Sequence, residues 1–163
     1  MFKVAILTLS DKGSKGERED ASGPLIREMV KDLPAEVIHY EILPDEKREI
    51  VEALKKCADR LEADLILTTG GTGLSPRDVT PDATLEVIDK EVPGFAEAMR
   101  AESLKKTPHA MISRAIVGVR RCCLIVNLPG SPRSVRENLS VILPALSHAL
   151  SKLKGDPAEC GQK

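Results

Sequence analysis

Aromatic side chains are almost missing from this 163-residue chain, which has no Trp, one Tyr and two Phe. A core must therefore be assembled from Leu, Ile, Val and Ala. Platforms for stacking unpaired bases are missing too, which argues against single-stranded nucleic acid as a partner. Cysteine is scarce and badly placed for chelation or cross-linking. Cys57, Cys122, Cys123 and Cys160 form no C-x-x-C pair, and neighbours Cys122 and Cys123 would point to opposite faces of a strand. They read as reduced thiols of a cytoplasmic protein. No signal-peptide pattern precedes the first apolar segment, and no apolar run approaches the length of a membrane span. His39, His109 and His148 share no motif with a Ser or Cys, so neither a nucleophile elbow nor a histidine-rich metal set is present.

Net charge is small at -1, but it is unevenly spread. Residues 1–99 carry 13 basic and 21 acidic side chains, against 11 and 4 in residues 100–163. Two intermixed solvated faces would account for this. So would a basic rim drawing a phosphorylated ligand toward an acidic, metal-holding floor. With 42% apolar and 30% charged residues the chain reads as an ordinary soluble globule. Its length suits one domain, residues 1–154, ahead of a polar, flexible tail at 155–163.

Apolar, β-compatible segments lie at 3–10, 35–43 and 63–69, and the last is apolar enough to be buried on both faces. The segment from Ser113 to Pro132 suggests two more strands around a turn at 118–121. Helical spacing appears at 21–33, with Leu25, Ile26, Met29, Val30 and Leu33 on one stripe, and at 45–62, with Ile50, Val51, Leu54, Cys57, Ala58 and Leu61 facing in. Further helical patterns follow at 81–90, 94–106 and 134–154, the last with Pro144 as a candidate kink. Strands alternating with helices predict a three-layer α/β/α sandwich around a mostly parallel sheet. Ligands of such sheets sit beyond the carboxyl ends of the strands. Three polar, glycine-bearing loops then matter: those after Ser10, Thr69 and Asn127.

The second loop reads "TTGGTGLSPRDVTPDAT", from Thr68. Gly70, Gly71 and Gly73, with Thr69 and Thr72, can bring bare amides to an anion. Neither a dinucleotide fingerprint nor a Walker A loop fits, because Pro76 stands where a glycine is needed and no Lys follows. A plain tight turn leaving the sheet is the alternative. Asp82 suits the first turn of a helix capped by Thr80 and started by Pro81. Asp45 is either an ordinary N-cap or a functional acid. Asp78, beside Arg77, has no evident folding role and is the best candidate for Mg²⁺. The third loop, "NLPGSPRSVRE", joins a strand to a helix that Ser131 or Ser134 can cap. Its free amides, with Arg133 and Arg136, suit an anion. The first loop offers Ser10 and Asp11, then Ser22 and Gly23 at a helix start.

Together "VAILTLSD", "ILPDE", the long glycine–aspartate segment and "LIVNLPGSP" resemble the molybdopterin adenylyltransferase family, the MogA/MoaB-type proteins, whose fold recurs in gephyrin-like proteins. The likeness runs from Lys3 to about Leu153. It implies transfer of AMP from ATP to molybdopterin with Mg²⁺ present, giving adenylyl-molybdopterin and pyrophosphate. It also implies a homotrimer. By similarity, Asp45 and Asp78 match the family's important aspartates and the Mg²⁺ position. Ser10 and Asp11 match the first binding loop. Thr69, Gly70, Gly71, Thr72 and Gly73, together with Asn127, Pro129, Gly130, Ser131 and Pro132, match the ligand-binding edges, and Asp82 lies near them. Later molybdenum insertion would fall to a separate protein. A non-catalytic molybdopterin carrier or scaffold is the alternative.

Overall fold

The structure is a computed structural model that describes residues 1–157. Residues 158–163 of the expected 155–163 tail, Cys160 among them, lie outside the described residues. Six strands form one sheet: β1 (Phe2–Leu9), β2 (Ala35–Leu43), β3 (Leu65–Thr69), β4 (Lys90–Glu91), β5 (Val117–Arg120) and β6 (Cys123–Leu128). Their order is β2-β1-β3-β6-β5-β4. The four strands β2, β1, β3 and β6 run parallel, β5 runs antiparallel to β6, and β4 pairs antiparallel with β5. The helices are α1 (Asp11–Ser14), α2 (Ser22–Met29), α3 (Lys47–Lys55), α4 (Thr80–Val87), α5 (Pro93–Leu104) and α6 (Pro132–Leu153).

Period-two alternation along the strands builds two cores. Val4, Ile6, Leu65, Leu67, Leu124 and Val126 face α2, α5 and α6, packing on Ile26, Met99, Val135, Leu139 and Ile142. Their neighbours Ala5, Leu7, Ile66 and Ile125 face α3 and α4, packing on Ile50, Leu54, Ala83 and Val87. Every residue of β3 is buried, as its unbroken apolar run predicts. The sheet is thus covered on both faces in three layers. Full burial of each such Leu or Ile contributes about 1.5–3 kcal/mol, so these alternating rows fix the register of the strands. Prolines start the helices where their missing N–H is harmless: Pro93 opens α5, Pro132 opens α6 and Pro81 sits in the first turn of α4.

Several local expectations are corrected. The loop after Ser10 contains the single turn α1, capped by the Ser10 side chain, which accepts from Gly13 N. The 45–62 helix begins at Lys47 and becomes a π turn over Lys56–Arg60, which keeps Cys57 and Ala58 buried. The helix expected over 81–90 ends at Val87, and Lys90 instead begins the short edge strand β4; a 3₁₀ turn over Pro108–Ile112 had no clear pattern. The hairpin turns at Arg121, the last residue of the expected 118–121 range, which adopts φ 54°, while Gly118 lies inside β5. Asp89 Oδ2 holds the Arg121 amide at 2.6 Å, a tertiary contact that supports a left-handed residue with no glycine to announce it. Helix α6 continues through Pro144. Cys57, Cys122 and Cys123 are free thiols.

Candidate active site

The chain passes from β1 outward to β2, then returns to β3 on the other side of β1. Ligand crevices form at such a reversal, outside the carboxyl ends of the strands. Here a cleft of about 540 Å³ opens there, a size suited to a small-molecule ligand. Ser10, Asp45, Asp78 and Ser131 line it, with Thr69, Gly70, Gly71, Gly130 and Pro132. All three glycine-bearing loops therefore meet, as the sequence predicts.

Backbone proximity explains the glycines. Gly70 has φ +97°, and a Cβ placed on it would collide with the Leu9 carbonyl oxygen. Its Cα lies 3.4 Å from where a Gly130 Cβ would stand. Gly71 has φ +67°, and a Cβ there would collide with Thr80 Oγ1 and fall 3.1 Å from Asp45 Oδ1. Main chains of the first, second and third loops approach too closely for side chains. Hydrogen bonds close the same seam: Thr69 Oγ1 donates to Pro129 O at 2.6 Å, Gly70 N to Leu128 O at 3.1 Å, and Ser22 Oγ to Gly130 O at 2.7 Å.

Thr80 does not cap α4. It is that helix's first residue, fully buried, and its hydroxyl donates to Gly70 O at 2.9 Å. Nor is Asp45 an N-cap: Glu46 occupies the cap of α3 without a side-chain bond. Asp45 instead pairs with Asp11 reciprocally. Asp11 N donates to Asp45 Oδ2 at 3.1 Å, and Asp45 N to Asp11 Oδ1 at 3.0 Å. Asp45 Oδ1 is left buried without a partner, the one such side-chain atom among the described residues. Desolvation raises the pKa of Asp45, against the Asp11 amide that lowers it, and the charges of Asp11 and Asp78 add to the rise.

Arginines hold the flanks of this acidic floor. Arg77 donates to both oxygens of Asp11, at 2.9 Å each, and to Glu46 Oε1 at 2.8 Å. The Arg77 hydrogen bonds pull the Asp11 pKa down to about 2. Arg114, which no sequence motif singles out, grips the second loop. It donates to Gly73 O at 3.0 Å, to Asp78 O at 2.6 Å, and to both oxygens of Asp82 at 3.0 and 3.3 Å. Arg114 hydrogen bonds also lower the pKa of Asp82. Asp82 is thus a counter-ion that anchors the loop.

Several expected ligand residues stand away from the cleft. Asp11 does not line it and is locked to Arg77 and Asp45. Thr72, Gly73, Asn127 and Pro129 line a second cavity of about 230 Å³, so the glycine loop is a wall between two spaces. Asn127 is fully buried and saturated: its amide donates to Thr68 Oγ1 at 3.1 Å and Thr84 Oγ1 at 3.0 Å, and its oxygen accepts from Ile116 N at 3.3 Å. It fastens β3, β6 and α4 together. Asp82 lines neither cavity. Asp78 has a local role after all, because its Oδ2 accepts from Ser75 N at 3.0 Å.

Of the two readings of the charge asymmetry, the basic rim is not the one the cleft lining follows: Arg18 is the one basic side chain there, beside Glu19, Asp20, Asp45 and Asp78. Positive potential must come from amides. Asp20 was also missed by sequence reasoning. Its Oδ1 accepts from Ser22 N and Gly23 N, at 3.1 Å each, and its Oδ2 from Thr8 Oγ1 at 2.8 Å and from the Tyr40 hydroxyl. Burial works to raise its pKa, yet these donors outweigh it and hold the group ionised. Asp20 therefore fills the N-terminus of α2 with a protein carboxylate. The α6 N-terminus lines the cleft through Gly130, Ser131 and Pro132, with Ser131 Oγ accepting from Ser134 N at 3.2 Å.

The metal candidates also fit. Among the described residues no three His, Cys, Asp or Glu gather into a ready-made metal cluster. Two carboxylates, one with a desolvated free oxygen, match Mg²⁺, which takes few protein oxygens and completes its shell with phosphates and water.

A doubly wound sheet, glycine amides and a helix N-terminus facing two acids define an α/β protein built to hold a phosphorylated ligand at its sheet edge. The particular family follows from comparison. The chain belongs to the family described as the probable molybdopterin binding domain, which matches residues 5–148. It is 43% identical over 163 residues to a molybdopterin adenylyltransferase of Helicobacter pylori J99, covering 98% of this chain and 92% of that protein. Gephyrin of Dictyostelium discoideum is 42% identical over 94% of this chain, which spans 23% of that longer protein. In three dimensions it is similar to the molybdopterin biosynthesis enzyme MoaB of Thermus thermophilus, with TM-score 0.91 and 55% identity, covering 98% of this chain and all of that one.

Proposed function

We infer that this protein is a molybdopterin adenylyltransferase acting in molybdenum cofactor biosynthesis. The observation that carries the inference is the meeting of three loops around an acidic cleft, in a chain whose full-length relative bears that name. ATP and molybdopterin are the substrates. Molybdopterin's terminal phosphate oxygen forms a bond to the α-phosphorus of ATP, the bond from that phosphorus to pyrophosphate breaks, and adenylyl-molybdopterin results.

A phosphate monoester has a second pKa near ~6, so the nucleophile is already largely dianionic at neutral pH. No strong general base is needed, and no histidine lines the cleft. The obstacle is repulsion between two anions. The Gly71 amide and the α6 N-terminus donate to phosphate oxygens and hold the reactants in line. Ser10, Ser131 and the backbone of Gly130 shape the phosphate edge. Asp45 and Asp78 would hold Mg²⁺. Mg²⁺, when bound, supplies neutralisation of the α-phosphate and of the leaving group.

The desolvated, unpartnered oxygen of Asp45 favours this reading over a passive carrier, which has no use for it. By likeness to its family, the protein assembles as a homotrimer in the cytoplasm and hands its product to a molybdenum-insertion protein. Among the described residues no helix is long and apolar enough to cross a membrane.

Asp78→Asn tests the assignment. Pyrophosphate release from ATP plus molybdopterin should fall to background while pterin binding persists. Near-wild-type turnover with normal metal dependence would overturn it.

A further inference from the structure

We propose that Arg77 is a positioning residue that sets the spacing of Asp45 and Asp78 before the metal arrives. The proposal rests on the reading of those two acids as Mg²⁺ holders. Arg77 adjoins Asp78 in the chain but does not line the cleft. Its guanidinium reaches across to Asp11 and Glu46. Both of these are tied to Asp45: Glu46 by the peptide bond, Asp11 by the reciprocal amide–carboxylate pair. One planar cation therefore bridges the segments that carry the two acids.

Something must do this. Two carboxylates with no cation between them repel, and the segment bearing Asp78 is exposed at Leu74, Ser75, Pro76 and Arg77. Arg114 secures the opposite flank of that segment through Gly73 O and Asp78 O, but it bonds nothing on the Asp45 side. Of the two arginines, only Arg77 joins the two acids' supports. Its side chain is 53% exposed, and exposed ion pairs add little to global stability. The bridge therefore matters for geometry more than for folding. Lys cannot replace it fully, because a single ammonium lacks the fork that engages Asp11 at two points while also reaching Glu46.

The test uses Arg77→Met, Arg77→Lys and Asp11→Asn in the full chain. Mn²⁺ binding is read from loss of the free-ion EPR signal, Mg²⁺ dependence from pyrophosphate release, and folding from thermal melts. Arg77→Met should weaken Mn²⁺ binding about tenfold and raise the Mg²⁺ requirement in parallel. Turnover at saturating Mg²⁺ should stay within about twofold, and the melting temperature should hold. Arg77→Lys should recover part of the metal affinity. Asp11→Asn should weaken it similarly, and the Arg77→Met/Asp11→Asn pair should lose no more than either alone, because both cut one bridge. Wild-type Mn²⁺ affinity in Arg77→Met overturns the proposal, as does loss of turnover that saturating Mg²⁺ does not restore. Asp78→Asn, titrated alongside, separates the two layers. If it binds Mn²⁺ normally, the metal assignment fails and the bridge's purpose with it. If it binds weakly while Arg77→Met does not, the bridge alone is refuted.

Discussion

Replacing Asp45 by Asn probes the cleft's electrostatics while keeping the side chain's shape. Asp45 Oδ1 is buried without a partner, and desolvation lifts the carboxyl pKa above its ordinary 3.8. An acid whose pKa is raised by folding binds protons more readily in the native state. Ionisation then costs stability. That cost is absent below pH 3.8, grows as pH climbs to the raised native value, and stays constant above it. A buried acceptor without a partner costs about 1–3 kcal/mol. Water reaches the rest of this side chain, so the lower end, about 1 kcal/mol, applies. For a protein of this size that is about 2–4 °C in Tm. The amide oxygen of Asn still accepts from Asp11 N. The NH2 then takes the buried, unpartnered place of Oδ1, so only the cost of the charge is relieved; the variant should melt up to about 2 °C above wild type near neutral pH, with the gain shrinking as melts move toward pH 4 and adenylylation lost throughout. Adding Mg²⁺ with ATP should stabilise wild type and not the variant. Circular-dichroism melts across pH decide the matter. A variant less stable than wild type at neutral pH, by a margin that does not change with pH, would refute the desolvation reasoning.

Three further outcomes are expected. Gly71→Ala forces a left-handed alanine against Thr80 Oγ1 and breaks the Thr80–Gly70 bond; denaturant unfolding should show a loss of about 2–4 kcal/mol, and wild-type stability would contradict the packing. Asn127→Ala strands Thr68 and the Ile116 amide and takes one of two partners from Thr84; about 3 kcal/mol should be lost, with pterin binding reduced only as far as the unfolded fraction demands. Asp20→Asn removes an acid whose native pKa is lowered by its donors; its stabilisation is present above pH 3.8 and is lost as pH falls through the depressed native value, so the variant should be weaker at neutral pH and converge with wild type in strong acid.

Much of this protein was legible in one dimension. Periodicity located the four parallel strands and most helices, because a two-residue or 3.6-residue rhythm of Leu, Ile and Val is itself the record of which face is buried. Glycines beside Thr69 and Asn127 marked the ligand edge, because only bare backbone permits the approach seen between Gly70, Leu9 and Gly130. Other features left no local trace. Arg121 turns the hairpin with positive φ through a bond to distant Asp89. Thr80 looked like a cap and proved to be a brace to Gly70.

The sequence alone determined the layered α/β class, the three loops and the family, since burial rhythm and glycine placement are properties of neighbours along the chain. Only the tertiary structure decided which acids face the cleft. Asp11 and Asp82 are neutralised by Arg77 and Arg114, partners 66 and 32 residues away, while Asp45 keeps an oxygen that nothing satisfies. A carboxylate's role depends on the charges and dielectric around it in space, and those are set by folding.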